Sequence, residues 1–183
     1  MIVGAGIAGL TAGMLLAHRG CEVTLVDFCN QPGGKIRSVE TSAGMLDSGP
    51  TVFTMRPVFD ALFASVGETL ADHLALRPLD VLARHAWPDG TSLDLFADGR
   101  RSAEAVAAFA GPAEAEGFRR FSADAARVYA LLDAPFMQAE RPSMLGLTAA
   151  LGFGGLAIRP FETLWSVLGG YFRDPRLRQL FGR

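Results

Sequence analysis

Three glycines, Gly4, Gly6 and Gly9, follow directly on the apolar residues Met1-Ile2-Val3 and lead into the helical run Leu10 to Arg19. Glycines at these intervals suit the close approach of backbone to a negatively charged group. Gly4 permits a tight turn off a strand, Gly6 lets the main chain come near a diphosphate, and Gly9 lets the helix pack against the strands. The free amides at the helix start then face the phosphates, and the helix dipole favours the same charge. No side chain has to carry the binding.

Asp27 is the discriminating partner of this loop. It closes the next apolar segment, Glu22-Val23-Thr24-Leu25-Val26-Asp27, 18 positions after Gly9. A carboxylate that accepts hydrogen bonds from an adenosine ribose stands about 20 residues along. A 2'-phosphate would meet its charge, which disfavours NADP. Glycine-rich turns also occur for packing alone, but a strand before, a helix after and Asp27 beyond point together to a dinucleotide. An NAD-binding half would continue into a further strand and helix. Here Pro32-Gly33-Gly34-Lys35 follows instead, and two adjacent glycines with a cation can pass close to a diphosphate or a ribityl chain, which favours FAD. Lys35 is either that cation or a surface lysine.

The elements that must position these residues follow from pattern and punctuation. Gly20 is placed to stop the first helix, and the first strand is short beside the usual five or six residues, roughly. A tight loop covers Asn30 to Lys35. The mixed segment from Ile36 to Leu46 is interrupted at Ser42-Ala43-Gly44, and Asp47-Ser48-Gly49-Pro50 reads as a turn. Pro57 fits the first turn of a helix with Val58, Phe59, Leu62, Phe63 and Val66 on its apolar face and Gly67 at its end. Val81 to Trp87 pairs with Thr91 to Phe96 as a hairpin across Pro88-Asp89-Gly90, with alternate residues against a core. Phe118, Phe121, Ala125, Val128 and Leu132 mark an amphipathic helix ending near Pro135. Leu164, Trp165, Leu168, Tyr171 and Phe172 form another apolar stripe. Asp174-Pro175 reads as the cap and first position of a final helix carrying Leu177, Leu180 and Phe181, which so near the chain end has little to pack against; a truncated chain is expected.

Composition sets the outer bounds. The 183 residues are 50% apolar and 20% charged, enough for a folded core. A net charge of -2 offers nucleic acid no general attraction. Cys21 and Cys29 make no disulfide framework, and His18, His73 and His85 have no metal-ligand spacing, so no metal is expected. With no signal-peptide pattern, the expected location is cytoplasmic. Residues 142–158 carry no charge, and arginines dominate the end beyond them. That uncharged stretch is short of the roughly 20 apolar residues of a membrane span; it is a buried segment or a one-leaflet contact. The expected organisation is α/β, with residues 1–50 as the N-terminal part of an FAD-binding, Rossmann-like fold and residues 51–183 as a partly helical substrate-side region bearing the hairpin.

The stretches VGAGIAGLTAGMLLAHRG, VTLVDFCNQPGGKIRS, LDSGPTVFTM and DPRLRQLFGR resemble the FAD-dependent carotenoid desaturases of the phytoene desaturase type, within the wider amine-oxidase-like flavoproteins. Gly33-Gly34-Lys35 and the passage PLDVLARHAWPDGTSLDLF are most similar to the hydroxyneurosporene and methoxyneurosporene desaturases. Members of the family are much longer, so the resemblance is to their N-terminal part. It implies an oxidoreductase that introduces carbon-carbon double bonds into a long apolar polyene in carotenoid biosynthesis, with the substrate drawn from a membrane on which the protein sits peripherally. It carries Gly4, Gly6 and Gly9 over to the phosphate-binding glycines and Asp27 to the ribose-binding carboxylate, where many members have glutamate. Gly33, Gly34 and Lys35 match the second cofactor motif, and Asp47, Gly49 and Pro50 the segment that returns beside the flavin. No catalytic residue is carried over. An amine oxidase or other flavin oxidoreductase with a soluble substrate, and an inactive fragment of an FAD fold, stay open beside this reading.

Overall fold

The computed structural model describes residues 2–50, 52–139, 141, 143–152 and 162–182 together with Met1, in two compact units, Met1–Arg77 and Pro78–Arg183.

The first unit opens with a strand-helix-strand. Strand β1 (Ile2–Val3) lies parallel to β2 (Leu25–Val26), with helix α1 (Ile7–His18) between them in the chain. The sequence suggests a second strand from Glu22, yet the ladder is two residues long. A parallel ladder extends no further than its shorter partner, and β1 offers only Ile2 and Val3 before the chain turns at Gly4, whose φ is 102°. Helix α1 starts three residues earlier than the apolar periodicity suggests and lies tight on the strands. A Cβ on Gly9 would meet the Gly4 carbonyl oxygen at 1.8 Å, and one on Gly13 would meet the Leu25 side chain at 3.1 Å. Residues four apart share a helix face, so Gly9 and Gly13 together make the flat strip on which the strands rest. Gly13 is a packing glycine the motif did not single out.

The segment Ile36 to Pro50 folds as an antiparallel hairpin of β3 (Arg37–Thr41) and β4 (Gly44–Ser48), with Arg37 opposite Ser48 and Ser38 opposite Asp47. Asp47 and Ser48 are therefore strand residues rather than turn residues, and the chain turns at Gly49, φ 111°. Helix α2 (Arg56–Ala64) carries Pro57 in its first turn, and Gly67 follows at φ 80°. Phe59, Leu62, Phe63 and Val66 are half-buried, whereas Val58 is exposed. A short helix α3 (Leu70–His73) completes the unit and buries Leu70.

In the second unit β5 (Val81–Ala86) and β6 (Ser92–Phe96) form the expected hairpin, closed by the Trp87 amide donating to the Thr91 carbonyl. Val81, Ala83 and His85 turn inward while Leu82, Arg84 and Ala86 face out. Helix α4 (Gly99–Ala110) is capped by Asp98, which accepts from the amides of Arg100 and Arg101. The buried Ser102 hydroxyl bonds both the amide and the carbonyl of Phe96 and so fastens α4 to β6. Helix α5 (Pro112–Leu132) ends at Leu132, and Pro135 sits in a π-helical turn over Asp133–Met137, because proline has no amide for the helical ladder and its ring crowds the preceding turn. Helices α6 (Met144–Leu151), α7 (Leu164–Gly169) and α8 (Pro175–Phe181) follow.

The core of this unit is Leu93, Val106, Phe118, Leu168, Phe172 and Leu177, with Phe121, Tyr171 and Phe181 packed around it. Helix α8 overturns the expectation that it would lack partners: Leu177 is wholly buried and the Phe181 ring stacks on Phe172 at 5.1 Å. Seven residues suffice because the Asp174 side chain caps the helix at the Arg176 amide, while Arg176 reaches Asp89 and Thr91 in the hairpin turn and lies over the Phe109 ring. Leu164 and Trp165, placed on the apolar stripe by sequence, are more than half exposed. Part of the uncharged stretch, residues 153–158, lies outside the described residues; no described helix is long and apolar enough to cross a membrane.

Candidate functional site

The glycine loop, the second glycine pair and the carboxylate converge within the first unit. Gly6 is the N-cap of α1 with no side chain bonded across the helix end, and the first amide to bond back along the helix is that of Leu10, to the Gly6 carbonyl. The amides of Ile7, Ala8 and Gly9 precede that ladder and are the donors an anion would use.

Asp27 lies against the loop itself. Its Oδ2 accepts from the Ala5 amide at 2.6 Å and its Oδ1 from the Cys29 amide at 2.7 Å. These bonds, Ala5 first and Cys29 second, hold the carboxyl below its ordinary pKa and keep it ionised. Both oxygens retain acceptor capacity, since each can take more than one hydrogen bond. Ala5, which precedes the helix, thus spends its amide on the acidic residue and leaves the helix-start amides as the donors.

The second motif meets the first directly. The Gly33 amide donates to the Ala5 carbonyl at 2.9 Å, and Gly34 sits so close to Gly6 that a Cβ on Gly34 would reach the Gly6 Cα at 3.0 Å. Gly33 and Gly34 adopt φ of 129° and 61°, and a Cβ on Gly33 would strike the Ile36 carbonyl oxygen at 2.2 Å. Glycine is required at both for the conformation as well as the contact. Gly49 repeats the device at the far end of the β3–β4 hairpin: its Cβ position is 2.0 Å from the Lys35 carbonyl oxygen, so backbone folds onto backbone where the hairpin returns.

Beside this junction is a groove of about 500 Å³ lined by Cys29, Pro32, Gly34, Arg37, Asp47 and Pro50 among others. An adjoining groove of about 330 Å³ is lined by Gly34, Lys35, Arg37, Ser48, Gly49 and Pro50. Thus Gly34 and Pro50 line both grooves, Asp47 the larger and Lys35 and Gly49 the smaller, while Asp27 anchors the glycine loop through Ala5. Asp47 accepts from the Ser38 hydroxyl at 2.9 Å. Residues that motif reading passed over also contribute: Ala5 and Cys29 through their amides, and Arg37 and Ser38 as groove lining. The signal for Arg37 was its position two residues after Lys35 at the start of a strand. The other feature of note, a hollow beside Arg120, Asp124 and Tyr171 in the second unit, contains none of the predicted site residues.

Comparison with known proteins follows the same line. Residues 2–66 match the model of an NAD(P)-binding Rossmann-like domain, so the unit is of the dinucleotide-binding kind. The chain is 52% identical over 188 aligned positions to a hydroxyneurosporene desaturase of Rubrivivax gelatinosus, covering all of this chain and 36% of that protein. It is 47% identical over 190 positions to a hydroxyneurosporene desaturase of Cereibacter sphaeroides, with 100% of this chain and 38% of the relative covered. A phytoene dehydrogenase of Streptomyces griseus is 36% identical across 99% of this chain and 36% of its own length. The chain spans little more than a third of the length of these relatives.

Proposed function

The chain belongs to the carotenoid desaturase family, matching an N-terminal region of its members, and on that premise we propose that it is the cofactor-gripping part of an FAD-dependent enzyme that introduces double bonds into a carotenoid such as a neurosporene derivative. The single observation carrying this reading is the interlock of Gly6 with Gly34 beside a carboxylate already tied to the loop.

The residues fit the group. Gly6 and Gly34 leave the helix start free of side chains, and the amides of Ile7, Ala8 and Gly9 would take the diphosphate. Asp27 would hold the adenosine ribose through the acceptor capacity its own amide partners leave over. Lys35 would balance phosphate charge, while Asp47, Gly49 and Pro50 would border the flavin side of the groove. When bound, FAD supplies the hydride acceptance that the protein side chains lack. Residues 1–50 would be the N-terminal part of the FAD-binding domain and 51–183 the substrate-side region.

A polyene offers nothing for an ionic clamp, so the protein must supply a dry apolar path and exclude water. Phe136, Met137 and Leu145 are exposed apolar side chains near the uncharged stretch, and they support a peripheral contact with the membrane that holds such a substrate. The test is to express the full-length protein, supply neurosporene derivatives and separate the products by chromatography. Lengthened polyenes with bound FAD are expected; unchanged polyene length would overturn the desaturase reading.

A further inference from the structure

Arg37 stands at the boundary of the two grooves and is the one cation lining both. We propose that its guanidinium is a second cationic partner for the diphosphate of the bound dinucleotide, acting alongside Lys35. The inference rests on the dinucleotide reading above and adds to it a residue that neither the glycine loop nor the second glycine motif includes.

Position carries the first part of the case. Gly34 touches Gly6 at the phosphate-facing end of the loop, and β3 begins three residues later at Arg37, whose backbone is fixed opposite Ser48 in the ladder. The two grooves share Gly34, Arg37, Ser48 and Pro50. A group threading from the glycine junction along the hairpin therefore passes Arg37.

Charge carries the second. Arg84, Arg101 and Arg176 each pair with a carboxylate, whereas the Arg37 guanidinium makes no hydrogen bond or ion pair among the described residues. The nearest acid in the ladder is Asp47, opposite Ser38 and bonded to its hydroxyl. Asp47 lines the larger groove with Arg37, yet successive strand residues project to opposite faces, and the Asp47 carboxylate is bonded to Ser38 and forms no ion pair with Arg37. A guanidinium presents a fork of donors that matches phosphate oxygens, and a bridging diphosphate is doubly negative. Lys35 alone would balance only part of that charge.

The experiment uses the full-length protein stripped of flavin and titrated with FAD, ADP and riboflavin, following flavin fluorescence for the first and third and calorimetry for ADP. Arg37→Gln is expected to weaken FAD and ADP by a similar factor, about tenfold, the scale of one charge-assisted hydrogen bond, and to leave riboflavin unchanged. Arg37→Lys should recover part of the loss, and the loss should shrink as salt rises. A melting curve for each variant, equal to the parent's in the absence of ligand, separates lost contact from lost fold. Wild-type affinity for FAD and ADP in Arg37→Gln, or an equal loss for riboflavin, would overturn the role of Arg37 while leaving FAD binding by the parent intact. A parent protein that binds none of these ligands would overturn the underlying dinucleotide reading and the inference with it.

Discussion

The amide of Ala5 donates to Oδ2 of Asp27 at 2.6 Å, across 22 residues of sequence. This bond ties the glycine loop to the end of the neighbouring strand, so the acid and the turn are positioned as one object. Asp27→Ala removes both the anchor and the acceptor. The affinity of the full-length protein for FAD is expected to fall by about tenfold or more, from loss of charge-assisted hydrogen bonds. Asp27→Asn should fall nearly as far, because two backbone donors flank a group that now carries a donor of its own. Equilibrium flavin titration of both variants provides the measurement, and affinity unchanged in either removes Asp27 from the site.

The same carboxylate sets a pH dependence. Its pKa is depressed by the amides of Ala5 and Cys29. A depressed carboxylate contributes stabilisation that is fully present above its unfolded pKa, about 3.9, and is lost as pH falls through the lower folded value. FAD retention is therefore expected to be flat from neutral pH down to that region and to decline only below it. In Asp27→Asn this acid limb should be weaker than in the parent.

Gly6 and Gly9 separate binding from folding. A Cβ on Gly6 meets only the Gly34 Cα, at an ordinary 3.8 Å, and Gly6 has negative φ. Gly6→Ala should keep the melting temperature and lose FAD affinity, since a methyl group would stand where the diphosphate passes. Gly9→Ala puts a Cβ 1.8 Å from the Gly4 carbonyl oxygen, forcing α1 off the strands at a cost of about 1–3 kcal/mol. Thermal denaturation and flavin titration of the pair should give opposite profiles.

Gly49→Ala combines a φ of 111° with a Cβ 2.0 Å from the Lys35 carbonyl oxygen. The hairpin then cannot return onto the second glycine motif. Flavin retained after gel filtration is expected to drop even though Gly49 offers no side chain to the cofactor, and a variant holding its flavin would show that this closure is dispensable.

Leu177→Ala tests whether α8 is a true part of the second unit. The side chain is wholly buried against Leu168 and Phe172, and truncating such a leucine costs about 2–5 kcal/mol. Chemical denaturation followed by tryptophan fluorescence should register that loss. A change near zero would mean the helix is loosely attached.

Local pattern determined a large share of this protein. Spacing alone identified the strand-loop-helix at Gly4, Gly6 and Gly9, the acid at Asp27, the Pro88-Asp89-Gly90 hairpin and the cap at Asp174, because each is a short-range requirement written in residue type: a glycine where φ is positive, a proline where an amide is unused, a side-chain oxygen where a helix starts. Tertiary structure decided the rest. That Ala5 gives its amide to Asp27, that Gly34 lies on Gly6, and that Gly49 lies on Lys35 are contacts between residues 14 to 28 positions apart, each using a main-chain group that every such residue possesses, so no residue type announces them. The length of β2 depended on its partner, and the burial of Leu177 depended on Phe172 and on Arg176 reaching the hairpin. A sequence declares what a residue can do; only the neighbour that arrives from elsewhere in the chain decides whether it does so.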